Sequence, residues 1–368
     1  MRNDSAFRVA IFPGDGIGHE ITAPTLRLVE RAAARTGGLG FDWRPCQAGA
    51  ATYRDEGTAL PGPALAEARA ADAILLAAMG LPSVRYPDGR EITPQIDLRM
   101  ELGLYAGVRP VKPVPGVRPV LADARAHDID YVIIRESTEG LFAPSAPGTR
   151  PGPDEARETM VITRPVCESV FDFSFHLAAE RAQALGRPGR VTSVDKANVF
   201  QAFAFWREIF AERAAHHPDI VADLAYVDAF AMTMVQKPWV IDVAVTENMF
   251  GDILSDLGAA LMGGMGYAPS ADIGDAHAVF QPCHGSAPDI AGKGLANPTA
   301  MILSAAMMLE WLAQRHAAPE AARAGGLIRG AVDAAFAPGA LVTCELGGQA
   351  GTEAVFEAVG DALERLDA

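Results

Sequence analysis

The stretch at residues 241–258 constrains the fold of this chain more than any other. Apart from Asp242, residues 241–245 are apolar and mostly β-branched, as in a buried strand, and residues from 250 onward have the pattern of a helix. Asp252 and Asp256 are four apart, so on that helix both carboxylates lie on one face. Two like charges repel at this spacing, and a divalent cation with oxygen ligands would relieve the repulsion. The alternative is one Asp that favours the helix dipole and a second that is solvated.

Charged residues stand where apolar runs end. Arg135, Lys196 and Asp228 each lie at or just after a short apolar run that is typical of a strand. Sites in α/β sheets collect at the carboxyl ends of strands, so this recurrence favours a shared site. Arg99 and Arg109 flank a helix-to-strand passage, and with Arg135 they could form a clamp for carboxylates. The alternative for each of these side chains is an ordinary surface charge.

The amino-terminal region has the strand–turn–helix order of a dinucleotide-binding site but lacks its sequence motif. Residues 7–12 predict a strand, residues 13–20 form a glycine-containing turn, and residues 21–35 predict a helix. The turn is not G-x-G-x-x-G, and no acidic residue follows a second strand at the expected distance. A simple tight turn therefore explains it equally well. The loop at residues 280–298, rich in Gly, Pro and small polar residues, suits nucleotide binding better.

Composition excludes several classes of function. The formal net charge of −15 argues against nucleic acid or an anionic membrane as a partner. The four cysteines are scattered without a CxxC pair, which indicates free thiols in a reducing compartment. No signal peptide is visible, and the apolar residues 300–311 are too short to cross a bilayer. We therefore expect a cytoplasmic protein in which residues 300–311 form a core helix.

Three motifs identify a resemblance that spans nearly the whole chain. They are SVDKAN at residues 193–198, FGDILSD at residues 250–256 and HGSAPDIAG at residues 284–292. Together they resemble the β-decarboxylating dehydrogenases, which include isopropylmalate, isocitrate, homoisocitrate and tartrate/D-malate dehydrogenases. The resemblance implies a two-domain α/β fold that is not a Rossmann fold. Residues 1–104 and 263–368 would form a large nucleotide-binding domain, and residues 105–262 a smaller domain that carries the dimer interface.

The resemblance also implies roles for individual residues. Arg99, Arg109 and Arg135 match the arginines that hold the carboxylates of a malate-like hydroxy dicarboxylate. Asp228, Asp252 and Asp256 match the ligands of Mg²⁺ or Mn²⁺. Lys196 and Asp228 match catalytic residues that one subunit lends to its partner, which implies a homodimer. The positions that match the NAD site are Asn198, His284, Gly285, Ser286, Ala287, Asp289 and Asn297. An Asp at position 289 goes with NAD, because its charge would repel the 2′-phosphate of NADP.

One residue departs from the pattern of this family. Relatives carry a tyrosine that helps to protonate the enol left by decarboxylation, and this chain has Phe142 at that position. Three outcomes are open: another group supplies the proton, decarboxylation is slow, or the reaction stops at the keto acid. A catalytically silent regulatory paralogue is a further alternative. Retention of the arginines and aspartates favours an enzyme.

The specificity loop departs as well. Gln95 stands where isopropylmalate enzymes place a leucine that contacts the isopropyl group, and Thr93 stands where isocitrate enzymes use a serine. Thr93 is equally well explained as a residue that caps the loop. A polar side chain at position 95 argues for a small or polar substituent, so we expect D-malate or tartrate as substrate. 3-Isopropylmalate is the alternative.

Overall fold

A computed structural model describes residues 6–367. The strands are β1 Phe7–Gly14, β2 Phe41–Pro45, β3 Ala73–Ala78, β4 Ala106–Val111, β5 Tyr131–Glu136, β6 Thr149–Gly152, β7 Glu155–Arg157, β8 Arg190–Asp195, β9 Val221–Tyr226, β10 Val243–Thr246, β11 Pro269–Ile273 and β12 Ala278–Pro282. The α-helices are α1 Gly18–Thr36, α2 Ala50–Glu56, α3 Gly62–Ala70, α4 Pro94–Leu102, α5 Arg164–Leu185, α6 Gln201–Ala214, α7 Val227–Gln236, α8 Asn248–Leu261, α9 Thr299–His316, α10 Pro319–Phe336 and α11 Thr352–Arg365.

A single ten-stranded sheet runs through the molecule in the order β2-β1-β3-β12-β11-β4-β5-β10-β8-β9. Neighbouring strands are parallel in each outer half, whereas β11 is antiparallel to both β12 and β4, and β4 is antiparallel to β5. The two halves therefore run in opposite directions and meet at the middle strands. β6 and β7 form a separate antiparallel pair.

The strand sequences explain why this sheet is buried. All six residues of β3 (AILLAA) and all four of β10 (VAVT) are buried, as expected for parallel strands covered on both faces. Helix α9 is buried along most of its length, which confirms the predicted core helix at residues 300–311. The α/β class predicted from the sequence is confirmed by this architecture.

The two chain ends supply one half of the sheet and the middle of the chain supplies the other. β1, β2, β3, β11 and β12 come from the ends, and β5, β8, β9 and β10 come from the middle. This distribution agrees with a large domain at residues 1–104 and 263–368 and a small one at residues 105–262, although that division remains a prediction. Among residues 6–367, no helix is both long and apolar enough to cross a membrane.

Candidate active site

The sequence-predicted arginines and two of the aspartates meet in one cavity of ≈ 150 Å³ on one face of the middle strands. The predicted residues that line it are Gln95, Arg99, Arg109, Arg135, Asp252, Asp256, His284 and Gly285. Strand alternation explains part of this convergence. Arg109 is paired with Ile133 and is two residues from Gly107, which is paired with Arg135, so both arginines point to the same face.

A buried aspartate that the sequence analysis missed holds two of these arginines. Asp272 lies on β11, and its carboxylate accepts hydrogen bonds from Arg99 Nε at 3.0 Å and from Arg109 Nη2 at 3.1 Å. Gln281 Nε2 donates to the same carboxylate at 2.9 Å. Burial alone would raise the pKa of Asp272, but the guanidinium groups of Arg109 and Arg99 outweigh it and lower the pKa to about 2. The carboxylate is therefore ionised at neutral pH and fixes both arginines.

Arg135 is held separately, by helix α8. Asn248 Oδ1 accepts from Arg135 Nε at 2.9 Å and from Nη2 at 2.7 Å, and Arg135 Nη1 forms an ion pair with Asp252. Burial, followed by repulsion from Arg99, lowers the pKa of Arg135 to about 10, so it remains cationic at neutral pH. The three arginines thus form a cationic surface that suits the carboxylates of a dicarboxylic acid.

Helix α8 presents the acidic pair predicted from the spacing. It begins at Asn248, slightly earlier than predicted, because Glu247 caps it by accepting a hydrogen bond from the Phe250 amide at 2.9 Å. Asp252 and Asp256 lie one turn apart and are both exposed. Partial burial, followed by the charge of Asp252, raises the pKa of Asp256. Two carboxylates that repel each other in this way are a donor set that fits Mg²⁺ or Mn²⁺.

Lys196 and Asp228 lie together but away from this cavity. Lys196 Nζ forms an ion pair with Asp228, and this contact lowers the pKa of that carboxyl. Asp228 belongs to the first turn of α7, whereas the sequence predicted that it ends a strand. Within residues 6–367, no three His, Cys, Asp or Glu side chains of one chain form a metal-binding group. The predicted set of three aspartates is therefore not assembled inside one subunit.

The predicted nucleotide loop packs against the glycine turn that follows β1. The Ile17 amide donates to the Ser286 carbonyl at 2.9 Å, and Ser286 Oγ donates to the Gly80 carbonyl. A Cβ at Gly16 would lie 2.0 Å from the Ser286 carbonyl oxygen, so this close approach requires glycine. The glycines of the turn therefore serve to seat the loop.

Two polar groups of the loop are available to a ligand. His284 Nε2 is buried without a hydrogen-bond partner, and burial lowers the pKa of this imidazole, which keeps it neutral. Asp289 is exposed on the same loop. An orphaned ring nitrogen in the lining of the cavity and an exposed carboxylate on the same loop suit a polar ligand such as NAD.

The other predicted cofactor residues differ in their availability. The Asn297 side chain is fully engaged inside the protein: its Nδ2 donates to Glu345 at 2.7 Å and its Oδ1 accepts from Thr299 Oγ1 at 2.7 Å. Asn198 is exposed in the segment before α6, and Ala287 has a positive φ of 38°. Asn297 thus has a structural role at the start of α9 that the sequence did not predict.

The two departures noted in the sequence both lie at the cavity or beside it. The ring centre of Phe142 is 5.5 Å from the Arg135 guanidinium carbon, and this side chain is 36% exposed. Gln95 lines the cavity, and its Oε1 is buried without a hydrogen-bond partner. Thr93 directly precedes α4, but its side chain makes no capping hydrogen bond.

Comparison with known proteins gives the class of this fold and site. The family model for isocitrate/isopropylmalate dehydrogenase matches residues 8–362. The chain therefore belongs to the isocitrate/isopropylmalate dehydrogenase family, and it is an oxidoreductase of the hydroxy-acid type. The fold is that of this family and is not a Rossmann fold, as the resemblance implied.

Individual relatives are similar over almost their full length. A 3-isopropylmalate/3-methylmalate dehydrogenase of Methanocaldococcus jannaschii is 41% identical over 362 residues, which is 98% of this chain and 98% of that protein. An isocitrate/homoisocitrate dehydrogenase of Thermus thermophilus is 40% identical over 98% of this chain and 100% of that protein. The crystal structure of isocitrate dehydrogenase from Methylococcus capsulatus superposes with a TM-score of 0.83 at 35% identity, covering 98% of this chain and 100% of that one.

Proposed function

We propose that this protein oxidises the hydroxyl group of a malate-like 2-hydroxy dicarboxylic acid, with NAD as hydride acceptor and Mg²⁺ or Mn²⁺ as metal, and that CO₂ is released. The observation that carries the proposal is the convergence of Arg99, Arg109 and Arg135 beside the acidic pair of α8. A dianionic substrate requires the arginines, and a hydroxyl group that must lose a proton favours an adjacent cation. The family membership supports the same reaction class.

The residues divide the chemistry between them. A divalent cation at Asp252 and Asp256 would draw charge from the substrate's hydroxyl and carboxylate oxygens, and NAD would accept the hydride. Arg99, Arg109 and Arg135 bind and orient the carboxylates. The Nζ atom of Lys196 is the place where the site holds a proton. The ion pair of Lys196 with Asp228 keeps that carboxylate ionised.

The substituent at C3 is the finer part of the proposal. D-malate or tartrate was the prediction from Gln95, but similar relatives are named 3-isopropylmalate dehydrogenases, which favours the alternative. We therefore place 3-isopropylmalate first. D-malate or tartrate remains the second candidate, because the unpaired Gln95 Oε1 would accept a hydrogen bond from a polar substituent or from water.

The substrate is tested by NADH formation in the presence of Mn²⁺, with CO₂ release measured in parallel. The panel is 3-isopropylmalate, D-malate, both tartrates, isocitrate and homoisocitrate. We expect the highest kcat/KM for 3-isopropylmalate, with CO₂ equal to NADH. No NADH from any of these compounds, with folded protein, would contradict the proposed reaction and favour a silent paralogue.

A homodimer in which the partner completes each site accounts for the position of Lys196 and Asp228. Large apolar side chains are exposed on and near α7, where Asp228 lies: Leu224, Met232, Val235 and Ile253. Several large apolar side chains exposed in one region are typical of a protein interface. In this arrangement Lys196 and Asp228 of the partner subunit would face Asp252 and Asp256.

Complementation distinguishes a shared site from two self-contained ones. Lys196→Ala and Asp256→Asn are each expected to abolish activity as homodimers. Random reassembly of the two variants would make half of the dimers mixed, each with one intact site, and would restore about a quarter of the wild-type activity. If activity does not return although mixed dimers form, the shared site is wrong.

A further inference from the structure

A second and larger cavity, of ≈ 860 Å³, lies behind the candidate active site. Its floor is formed by the same middle strands, on the face opposite to the one that lines the candidate active site. Val108 and Val132 line this cavity, whereas Arg109 and Arg135 line the other one. Side chains alternate between the faces of a strand, so the two cavities are separated by the thickness of the sheet. A ligand in the rear cavity therefore cannot touch the three arginines of the candidate active site.

The walls of the rear cavity come from different parts of the chain. Helix α5 supplies one wall, helix α9 supplies another, and α10 contributes Arg329 and Asp333. The cavity occupies the gap between α5 and α9, over the floor strands. The volume lies within the range of small-molecule sites, which is about 300 to 1,000 Å³.

Aromatic rings are prominent in the lining of this cavity. They are contributed by Tyr105, Phe173, Phe280 and Trp311. The guanidinium carbon of Arg315 already lies 5.2 Å from the centre of the Trp311 ring, so one of these rings carries a cation in this structure. Ring faces attract organic cations, most strongly where water is partly excluded.

The basic side chains of the rear cavity are engaged by acidic ones. Lys112 and Arg181 form ion pairs with Asp130 at 3.3 Å and 3.0 Å, and Arg329 forms one with Glu310 at 2.5 Å. The arginines of the front site are ion-paired as well, but in the lining of that cavity the arginines outnumber the aspartates. In the lining of the rear cavity the acidic side chains are in excess, so it is poorly suited to the dicarboxylate that the front site would take.

Acidic side chains outnumber these basic ones in the lining by three. Asp172 is paired with Arg213, which lies outside the lining, at 2.6 Å, and Asp275 accepts a hydrogen bond from Tyr105 Oη at 3.0 Å. Glu180 and Asp333 are exposed at the cavity, and within residues 6–367 their side chains make no direct hydrogen bond or ion pair. The charges of Lys112 and Arg329 nevertheless act on the Asp333 carboxyl. The occupant that complements this lining is positively charged at one end and apolar elsewhere.

We propose that the rear cavity is a second ligand site, which binds a small organic ammonium ion with an aromatic or branched apolar body. The apolar body would pack on the floor between α5 and α9, and the ammonium group would lie near Glu180 and Asp333. The site is independent of the dehydrogenase reaction proposed for the front face.

Isothermal titration calorimetry on the full-length protein tests this site with three probes of one shape. They are 2-phenylethylammonium, neutral 2-phenylethanol and anionic 3-phenylpropanoate. We expect the ammonium ion to bind and the alcohol to bind about tenfold more weakly, as for the loss of one cation–π or partly screened ion-pair contact. The anion is expected not to bind here. Each titration is repeated with the front site saturated by 3-isopropylmalate, the first candidate substrate, and the ammonium ion should bind equally well.

Two sets of variants locate the binding. Glu180→Gln combined with Asp333→Asn should reduce ammonium binding about tenfold, to the level of the alcohol, and both residues are exposed, so the fold is kept. Glu357→Gln on α11, an exposed acid away from the cavity, is the matched control. Ser169→Trp, which introduces a large ring into the lining, should abolish binding of both the ammonium ion and the alcohol.

The outcomes that overturn the proposal are distinct. Equal binding of ammonium ion and alcohol would refute recognition of charge. Undiminished binding to the Ser169→Trp variant, or displacement of the ammonium ion by 3-isopropylmalate, would place the ligand elsewhere. Absence of binding by every probe to folded protein would refute the site itself.

Discussion

Replacing Asp272 with asparagine removes the buried charge that holds two arginines of the candidate active site in place. The carboxylate is fully buried and accepts from Arg99 at 3.0 Å and from Arg109 at 3.1 Å. Breaking a buried ion pair by removing one partner typically costs about 3 to 5 kcal/mol. The depression of the Asp272 pKa from 3.8 to about 2 independently corresponds to about 2 kcal/mol. We expect a loss of unfolding free energy of about 3 kcal/mol at pH 7.

The effect depends on pH in a defined direction. The folded pKa of Asp272 lies below the unfolded value, so its stabilisation is complete above about pH 4 and is lost as the pH falls towards 2. The difference between wild type and Asp272→Asn should therefore be constant near neutrality and shrink in acid. At pH 7 a decrease in Tm on the order of 5 °C is expected, measured by differential scanning calorimetry.

The activity of this variant distinguishes positioning from simple stabilisation. Without the carboxylate, Arg99 and Arg109 lose their common anchor, and we expect kcat/KM to fall about 100-fold well below Tm, mainly through KM. The matched control is Asp361→Asn, an exposed aspartate on α11. Loss of a negative charge alone would instead strengthen binding of a dianion. A folded variant with unchanged or lower KM would refute the positioning argument.

Three further predictions concern the metal, the enol and the cofactor. Mn²⁺ should raise the Tm of the wild type, and Asp256→Asn should remove most of this increase, because one of the proposed carboxylate ligands is lost; an unchanged increase would exclude Asp256 as a ligand. Phe142→Tyr should increase CO₂ released per NADH if decarboxylation is incomplete in the wild type, since the ring lies 5.5 Å from Arg135; a wild-type ratio of one would show that another group supplies the proton. Asp289→Lys should shift the ratio of kcat/KM towards NADP by about tenfold or more, because a repelling charge becomes an attracting one; an unaltered ratio would separate Asp289 from the cofactor.

Local patterns in the sequence predicted the elements that carry the front site. The i, i+4 spacing of Asp252 and Asp256 predicted their shared helix face, because helical periodicity is set within a few residues. Arg135 was correctly placed at the end of a strand, because the apolar pattern of a strand is also set within a few residues. The resemblance of the motifs also predicted the family. The roles of Lys196 and Asp228 require a second subunit in the site and stay predictions.

The interactions that organise the site were not predictable in this way. Asp272 stands alone in a short apolar strand, and its partners Arg99 and Arg109 are more than 160 residues away along the chain. Only one signal pointed to it: an acidic residue inside a strand that is otherwise buried must have a compensating charge. The rear cavity had no sequence signal, because it is defined by the space left between α5 and α9.

The placement of β11 and β12 has a consequence for synthesis on the ribosome. These late strands lie between β3 and β4, although β4 already ends at Val111 and β11 begins only at Pro269. Until residues 269–282 emerge, the inner edges of β3 and β4 have no partner and expose unpaired backbone groups. The nascent chain therefore carries two open sheet edges while residues 112–268 are made, so aggregation during synthesis, and dependence on chaperones, should be greatest for chains truncated before residue 269.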